Sequence, residues 1–384
     1  MIKLLKTTIK KCIYKSSSVL MSLFLTVRKK KYVLLVVQDP LMFHYIRPIH
    51  QILSDDPDIV LRVCFPWPEK FKKDEFNSIK ETFKIRTINY KIAKYIHWCL
   101  IIFADHLPLF HPQSSKIRIE HGFYNGKLVN GNKYMFGPYA RDENNEIIYD
   151  KILVSSEYVC SGIQKNYPEL SSRIRAVGSI LLDEIYSYTE QKIEIFNKIN
   201  LDPSRQTIMI ASSWGPCSFI QLYGFEFIRQ LPELTKKYNV IISIHFLNLL
   251  SENSGGRDWN KLLDEVKGPN IYISPPGDQS YHLLANSDLL IMDMTSLGLY
   301  FPVFERPIIH FYDTGVEYEP LSLNNELHHS VYTSNDVDNL DEQITNAFKS
   351  FDKEKMRSLS NKIASHKGKA SSRFKEEIYD SLSK

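Results

Sequence analysis

The feature that most restricts this chain is a set of short apolar runs that do not alternate with polar residues, among them YVLLVV at positions 32–37 and CLIIFA at 99–104. A strand with one wet face alternates apolar and polar side chains. A run that stays apolar must be covered on both faces, the condition of a parallel sheet sandwiched by helices. Comparable runs predict strands at 32–37, 59–65, 100–104, 117–120, 152–154 and 174–177, then again at 207–211, 240–245, 271–274, 289–293 and 307–311. Helix-like stretches separate them, so the fold class is α/β with two doubly wound parallel sheets.

The alternation pauses at 187–205, where a polar stretch ends in Asp202-Pro203-Ser204. This turn signal without a core strand places an interdomain hinge there. The 384 residues also exceed what one core usually serves. The expected division is a basic segment 1–31, an N-terminal Rossmann-like domain 32–190, a C-terminal Rossmann-like domain 191–345, and a helical segment 346–384 packing back.

Charge is distributed unevenly. The first 31 residues carry nine lysines and arginines and no acid, so a chain of net +4 has a body of −5. A mildly acidic body argues against a nucleic-acid binder, whose folded domain would carry the positive footprint. In the tail, Ile2, Leu4, Leu5, Ile9 and Ile13 recur at helical spacing among lysines, and an apolar run at 19–27 stops at Arg28-Lys29-Lys30-Lys31. The run is short of the ~20 residues that span a bilayer. The expectation is an amphipathic helix lying on an anionic inner leaflet, at the cytoplasmic face of the cell membrane, with a signal peptide and a functionless tail as the alternatives. Cys12, Cys64, Cys99, Cys160 and Cys217 form no C-x-x-C pair, which predicts neither a disulfide framework nor a zinc cage. No motif requires a metal or a cofactor.

In open α/β sheets ligands bind outside the carboxyl ends of the strands, and two facing sheets would set a cleft between two such edges. Four groups follow strands. His121-Gly122 could supply a general base approached closely by substrate, or a capping histidine. Ser212 and Ser213 begin a loop and helix start suited to phosphate, or to a simple N-cap. His245 could donate to a pyrophosphate oxygen or be structural. An apolar strand delivers Asp293, Thr295 and Ser296 to a helix start, where hydroxyls and amides could converge on an anion, with an Asp cap as the plain alternative.

The order and spacing of IEHGFYNGK, of DKILVSSEY followed by VGSILLDE, of the strand ending in His245, and of SDLLIMDMTS leading to ERPIIHFY resemble the CDP-glycerol glycerophosphotransferase family of teichoic-acid and capsule synthesis. The resemblance runs from about Lys116 to Tyr312 and implies a GT-B-type fold. It also implies that His121 is the catalytic base and that His245, Thr295, Ser296, Ser212 and Ser213 hold the donor phosphates, with Gly122, Lys127 and Asp293 in support. The donor would be CDP-glycerol or another CDP-polyol, and the acceptor a lipid-linked saccharide or polymer. Phe246 stands where the family usually has proline, and Tyr300 where it tends to place an acid on the helix after the Ser pair. These departures keep a nucleotide-sugar glycosyltransferase as an alternative. A sugar epimerase and a non-catalytic membrane-docked binding protein are the further ones.

Overall fold

The computed structural model describes residues 12–17, 19–20, 30–71, 73–104, 110–123, 146–275, 278, 280–312 and 322–383. The chain divides into two compact units. The first comprises Met1–Gly122, Met135–Leu181 and Ser365–Lys384, the second Phe123–Tyr134 and Leu182–Ala364.

The first unit holds a seven-stranded sheet: β1 (Lys31–Val36), β2 (Ile59–Cys64), β3 (Thr87–Ile88), β4 (Leu100–Phe103), β5 (Ser115–Ile119), β6 (Lys151–Val154) and β7 (Ile174–Ala176). Their order is β3-β2-β1-β4-β5-β6-β7, and every pairing is parallel. Val33 to Val36 are fully buried, as a centre covered on both faces requires. One cover is the Pro40–Ser54 helix, which begins on Asp39, whose carboxylate accepts from the Met42 amide at 3.0 Å. Another is the Ala370–Ser383 helix, whose Phe374, Ile378 and Leu382 join the core of Val33, Leu35 and Ile102. The buried Lys151 ammonium reaches Asp380 on that helix at 2.7 Å.

The second unit holds β8 (Thr207–Ser212), β9 (Asn239–Ile244), β10 (Ile271–Ile273), β11 (Leu289–Met292), β12 (Ile308–Phe311) and β13 (Tyr332–Ser334) in the order β10-β9-β8-β11-β12-β13. This sheet too is parallel throughout. Strand order reverses beside β8, between β9 and β11, and that switch point is where such sheets take ligands. The Phe219–Lys237 helix covers one face through Phe219, Phe227, Leu231 and Leu234.

Each strand read from the sequence has a counterpart. The sequence reading lacked β3 and β13, short strands of two and three residues at sheet edges. Of the basic segment, residues 12–17 and 19–20 are described and helical and Lys31 opens β1; most of the apolar run and Arg28-Lys29 lie outside the described residues. Among the described residues, no helix is long and apolar enough to cross a membrane.

Candidate active site

Parallel β4 and β5 end side by side, and the corner after β5 carries His121 and Gly122. His121 is exposed, and its Nδ1 lies 2.6 Å from the carbonyl oxygen of Ala104, just past β4. A carbonyl only accepts, so Nδ1 carries the proton and Nε2 carries the basic lone pair. Gly122 has φ +86°, a left-handed conformation that glycine adopts without strain, and a Cβ there would come 3.6 Å from the Tyr45 hydroxyl. Lys127 lies outside the described residues.

One residue before the histidine, Glu120 turns inward. Its Oε2 accepts from the Ser155 amide at 2.6 Å, which ties the end of β5 to that of β6. Its Oε1 is sealed from water without a partner among the described residues. Burial pushes this acid up to about 8 against the nearby Arg118, so it is protonated at neutral pH.

In the second unit the ends of β9, β8 and β11 bring together the remaining candidates. Asp293, 1% exposed, organises them. It accepts from the Ser213 amide at 2.8 and 3.0 Å, the Phe219 amide at 2.7 Å and the Ser212 hydroxyl at 2.9 Å. The Ser212 hydroxyl in turn accepts from the Ile220 amide at 3.1 Å. Burial raises the Asp293 pKa above the usual carboxylate range, while these hydrogen bonds at a helix start act to lower it.

Two expectations change as a result. Ser212 is buried and its hydroxyl is engaged by Asp293 and Ile220, the arrangement of a loop-building cap rather than of an open phosphate donor. The first amides of the Phe219–Lys237 helix are capped from within the protein, and this helix start is no open anion site. Ser213 remains partly exposed, its amide on Asp293 and its carbonyl accepting from Asn248 Nδ2 at 2.7 Å.

His245 follows β9 and caps a 3-10 turn, its Nδ1 accepting from the Leu247 amide at 3.3 Å. Nδ1 is then the bare nitrogen and Nε2 carries the hydrogen, the reverse of His121. Burial lowers its pKa, which keeps the ring neutral near pH 7. The departure at Phe246 places a 46% exposed ring stacked on the imidazole, centroids 4.9 Å apart, and Trp214, 53% exposed, stands 6.3 Å away.

After β11, Thr295 caps a four-residue 3-10 turn (Ser296–Leu299), accepting from the Leu297 amide at 3.4 Å, and Ser296 is exposed. A second 3-10 turn (Phe301–Phe304) follows. In place of the expected helix the chain makes two short 3-10 turns, the second with Pro302 near its start, where the missing amide cannot extend a helix. Tyr300, expected on that helix, is 1% exposed between the rings of Phe123 at 4.7 Å and Tyr281 at 5.2 Å.

The sequence reading gave no role to Glu120 or the Ala104 carbonyl. An acid directly preceding a candidate base was the available signal for the first; the second is backbone and leaves none. Among the described residues, no cluster of three or more His, Cys, Asp or Glu is arranged to hold a metal ion.

Residues 112–379 match the family described as CDP-Glycerol:Poly(glycerophosphate) glycerophosphotransferase. No curated protein matches the chain. Among solved structures, the wall teichoic acid polymerase TagF is similar at 16% identity and a TM-score of 0.64, covering 92% of this chain and 89% of that one. A UDP-GlcNAc 2-epimerase from Neisseria meningitidis, bound to UDP-GlcNAc, is similar at 15% identity and a TM-score of 0.61, covering 91% and 100%. A glycosyltransferase from Rickettsia africae follows at 13% and 0.55, covering 92% and 99%. At these identities the likeness is one of fold.

Proposed function

Because this chain belongs to the CDP-Glycerol:Poly(glycerophosphate) glycerophosphotransferase family, we propose that it moves glycerol phosphate, or a related polyol phosphate, from a CDP-linked donor onto a hydroxyl of a cell-surface polymer or its lipid-linked saccharide precursor. A teichoic-acid-type polymer is the product class that fits. The observation that carries the mechanism is the hydrogen bond from His121 Nδ1 to the Ala104 carbonyl.

With Nδ1 so engaged, Nε2 of His121 takes the proton of the acceptor hydroxyl as its oxygen attacks the β-phosphorus. A new O–P bond forms and the bridging O–P bond breaks. The bridging oxygen leaves with CMP, and the proton rests on the imidazole until water removes it. His245, through Nε2–H, and the hydroxyls of Thr295 and Ser296 donate to the diphosphate oxygens and offset charge that grows in the transition state. Ser213 and Asp293 keep the loop between them in shape.

The helical residues 12–17 and 19–20 give the enzyme a place at its acceptor. They expose Ile13, Val19 and Leu20 beside the exposed Ile92, with Lys15, Lys91 and Lys94 close in sequence to them. Such a surface suits an anionic inner leaflet, where a lipid-linked acceptor would lie.

The test is to incubate the purified protein with CDP-glycerol, CDP-ribitol or UDP-sugars plus a lipid-linked saccharide and to follow nucleotide release. Acceptor-dependent CMP release is the expected result. UDP release without CMP would replace this reading with sugar transfer.

A further inference from the structure

We infer that Glu120 is a positioning residue for His121: its carboxyl, held on the Ser155 amide, fixes the corner after β5 and so keeps the imidazole on the Ala104 carbonyl. The inference rests on His121 being the base, as proposed above.

β5 ends at Ile119, so Glu120 and His121 lie beyond its ladder. Gly122 then takes a left-handed conformation, and glycine is the residue least able to hold a chain direction by itself. Between these two points the chain carries two side-chain bonds of opposite sense. Glu120 Oε2 reaches forward to Ser155 past β6, and His121 Nδ1 reaches back to Ala104 past β4. The two bonds sit on adjacent residues, so holding the Glu120 carboxyl on Ser155 limits the positions open to the backbone that carries His121. A base displaced by about 1 Å loses on the order of 10²-fold in rate, so small shifts of this backbone matter.

The anchor for Glu120 is itself held. The Ser155 carbonyl accepts from the Ser365 amide at 2.9 Å, and the Ser365 hydroxyl accepts from the Glu157 amide at 3.1 Å. Gly178 makes room for this contact, since a Cβ there would come 2.7 Å from the Ser365 carbonyl oxygen. The chain that returns to the first unit at Ser365 therefore supports the β6 end on which Glu120 rests. What Glu120 supplies is a neutral acceptor oxygen, for which glutamine is a close substitute in shape and hydrogen bonding.

The test uses the full chain with histidine-selective ¹⁵N labelling, CDP-glycerol as donor and poly(glycerophosphate) as acceptor. In the unaltered protein the His121 ring signals should report the Nδ1–H tautomer. Glu120→Ala should mix in the Nε2–H form and lower kcat by about tenfold or more, with the donor KM within about twofold. Glu120→Gln should restore both the tautomer and most of kcat. Should the alanine variant fail to fold, Glu120→Asp, which withdraws the carboxyl by one methylene, is expected to show the same loss. An unchanged tautomer and kcat in Glu120→Ala or Glu120→Asp would overturn the inference, as would Glu120→Gln being as impaired as Glu120→Ala. A His121→Ala variant separates the two readings: full activity there would remove the base, while the tautomer measurement still judges Glu120.

Discussion

His121 Nδ1 donates to the Ala104 carbonyl oxygen at 2.6 Å, whereas His245 Nδ1 accepts from the Leu247 amide, so the two imidazoles are held in opposite tautomers. One therefore offers a lone pair at Nε2 and the other a hydrogen. In the proposed reaction the first would take the hydroxyl proton and the second would donate to the diphosphate.

His121→Ala should lower kcat by about 10² to 10⁴, the usual worth of a general base, with little change in donor binding. Steady-state CMP release measures it. A loss confined to donor KM would assign His121 to binding instead.

His245→Ala should weaken the donor more broadly, raising its KM and lowering kcat, because the proposed bond to phosphate would form before the transition state and strengthen in it. His245→Asn, which keeps an N–H donor, should recover part of the loss.

Asp293→Ala would strand the Ser213 and Phe219 amides and the Ser212 hydroxyl without their acceptor. Each buried orphan costs about 1–3 kcal/mol, so the variant should melt well below the unaltered protein. Ser212→Ala, which removes one bonded partner from each of Asp293 and Ile220, should cost about 1–3 kcal/mol and leave the donor KM nearly unchanged, since the buried hydroxyl is already engaged within the protein.

Two buried groups give stability opposite dependences on pH. His310 is 1% exposed, its ring nitrogens have no partner among the described residues, and burial with His328 alongside lowers its pKa to about 4. The unfolded chain binds a proton at this position below about 6.5 and the folded one does not. Its contribution is thus fully present above about 6.5 and falls as pH drops toward 4. Glu120 runs the other way. Its folded acid is raised to about 8, so stability falls as pH rises from about 4.5 through 8. Melting curves of His310→Phe should flatten on the acid side, and those of Glu120→Gln between about 4.5 and 8; parallel shifts without a change in slope would contradict both assignments.

The sheets were legible because unbroken apolar runs such as YVLLVV leave a chain no wet face. β3 and β13 were not: Thr87–Ile88 is too short for a pattern, and Tyr332–Ser334 sits at an edge with one residue exposed. Positions of the candidate residues were legible for a related reason, since strand ends fix them. Their hydrogen-bond partners were not. Nothing in a serine after a strand reveals that Asp293, 81 positions away, already claims its hydroxyl. Tyr300 was expected on a helix with a bearing on the polyol, yet it lies buried between two rings. Glu120 looks like a solvent-facing acid until β6 is seen to bring Ser155 beside it.

The most direct test of the account is product formation from CDP-glycerol and poly(glycerophosphate), followed by ³¹P NMR beside a His121→Ala control. The account predicts a new phosphodiester resonance and CMP in equal amounts, both lost in the variant. Release of CMP without a phosphodiester, or equal product from the His121→Ala protein, would contradict it.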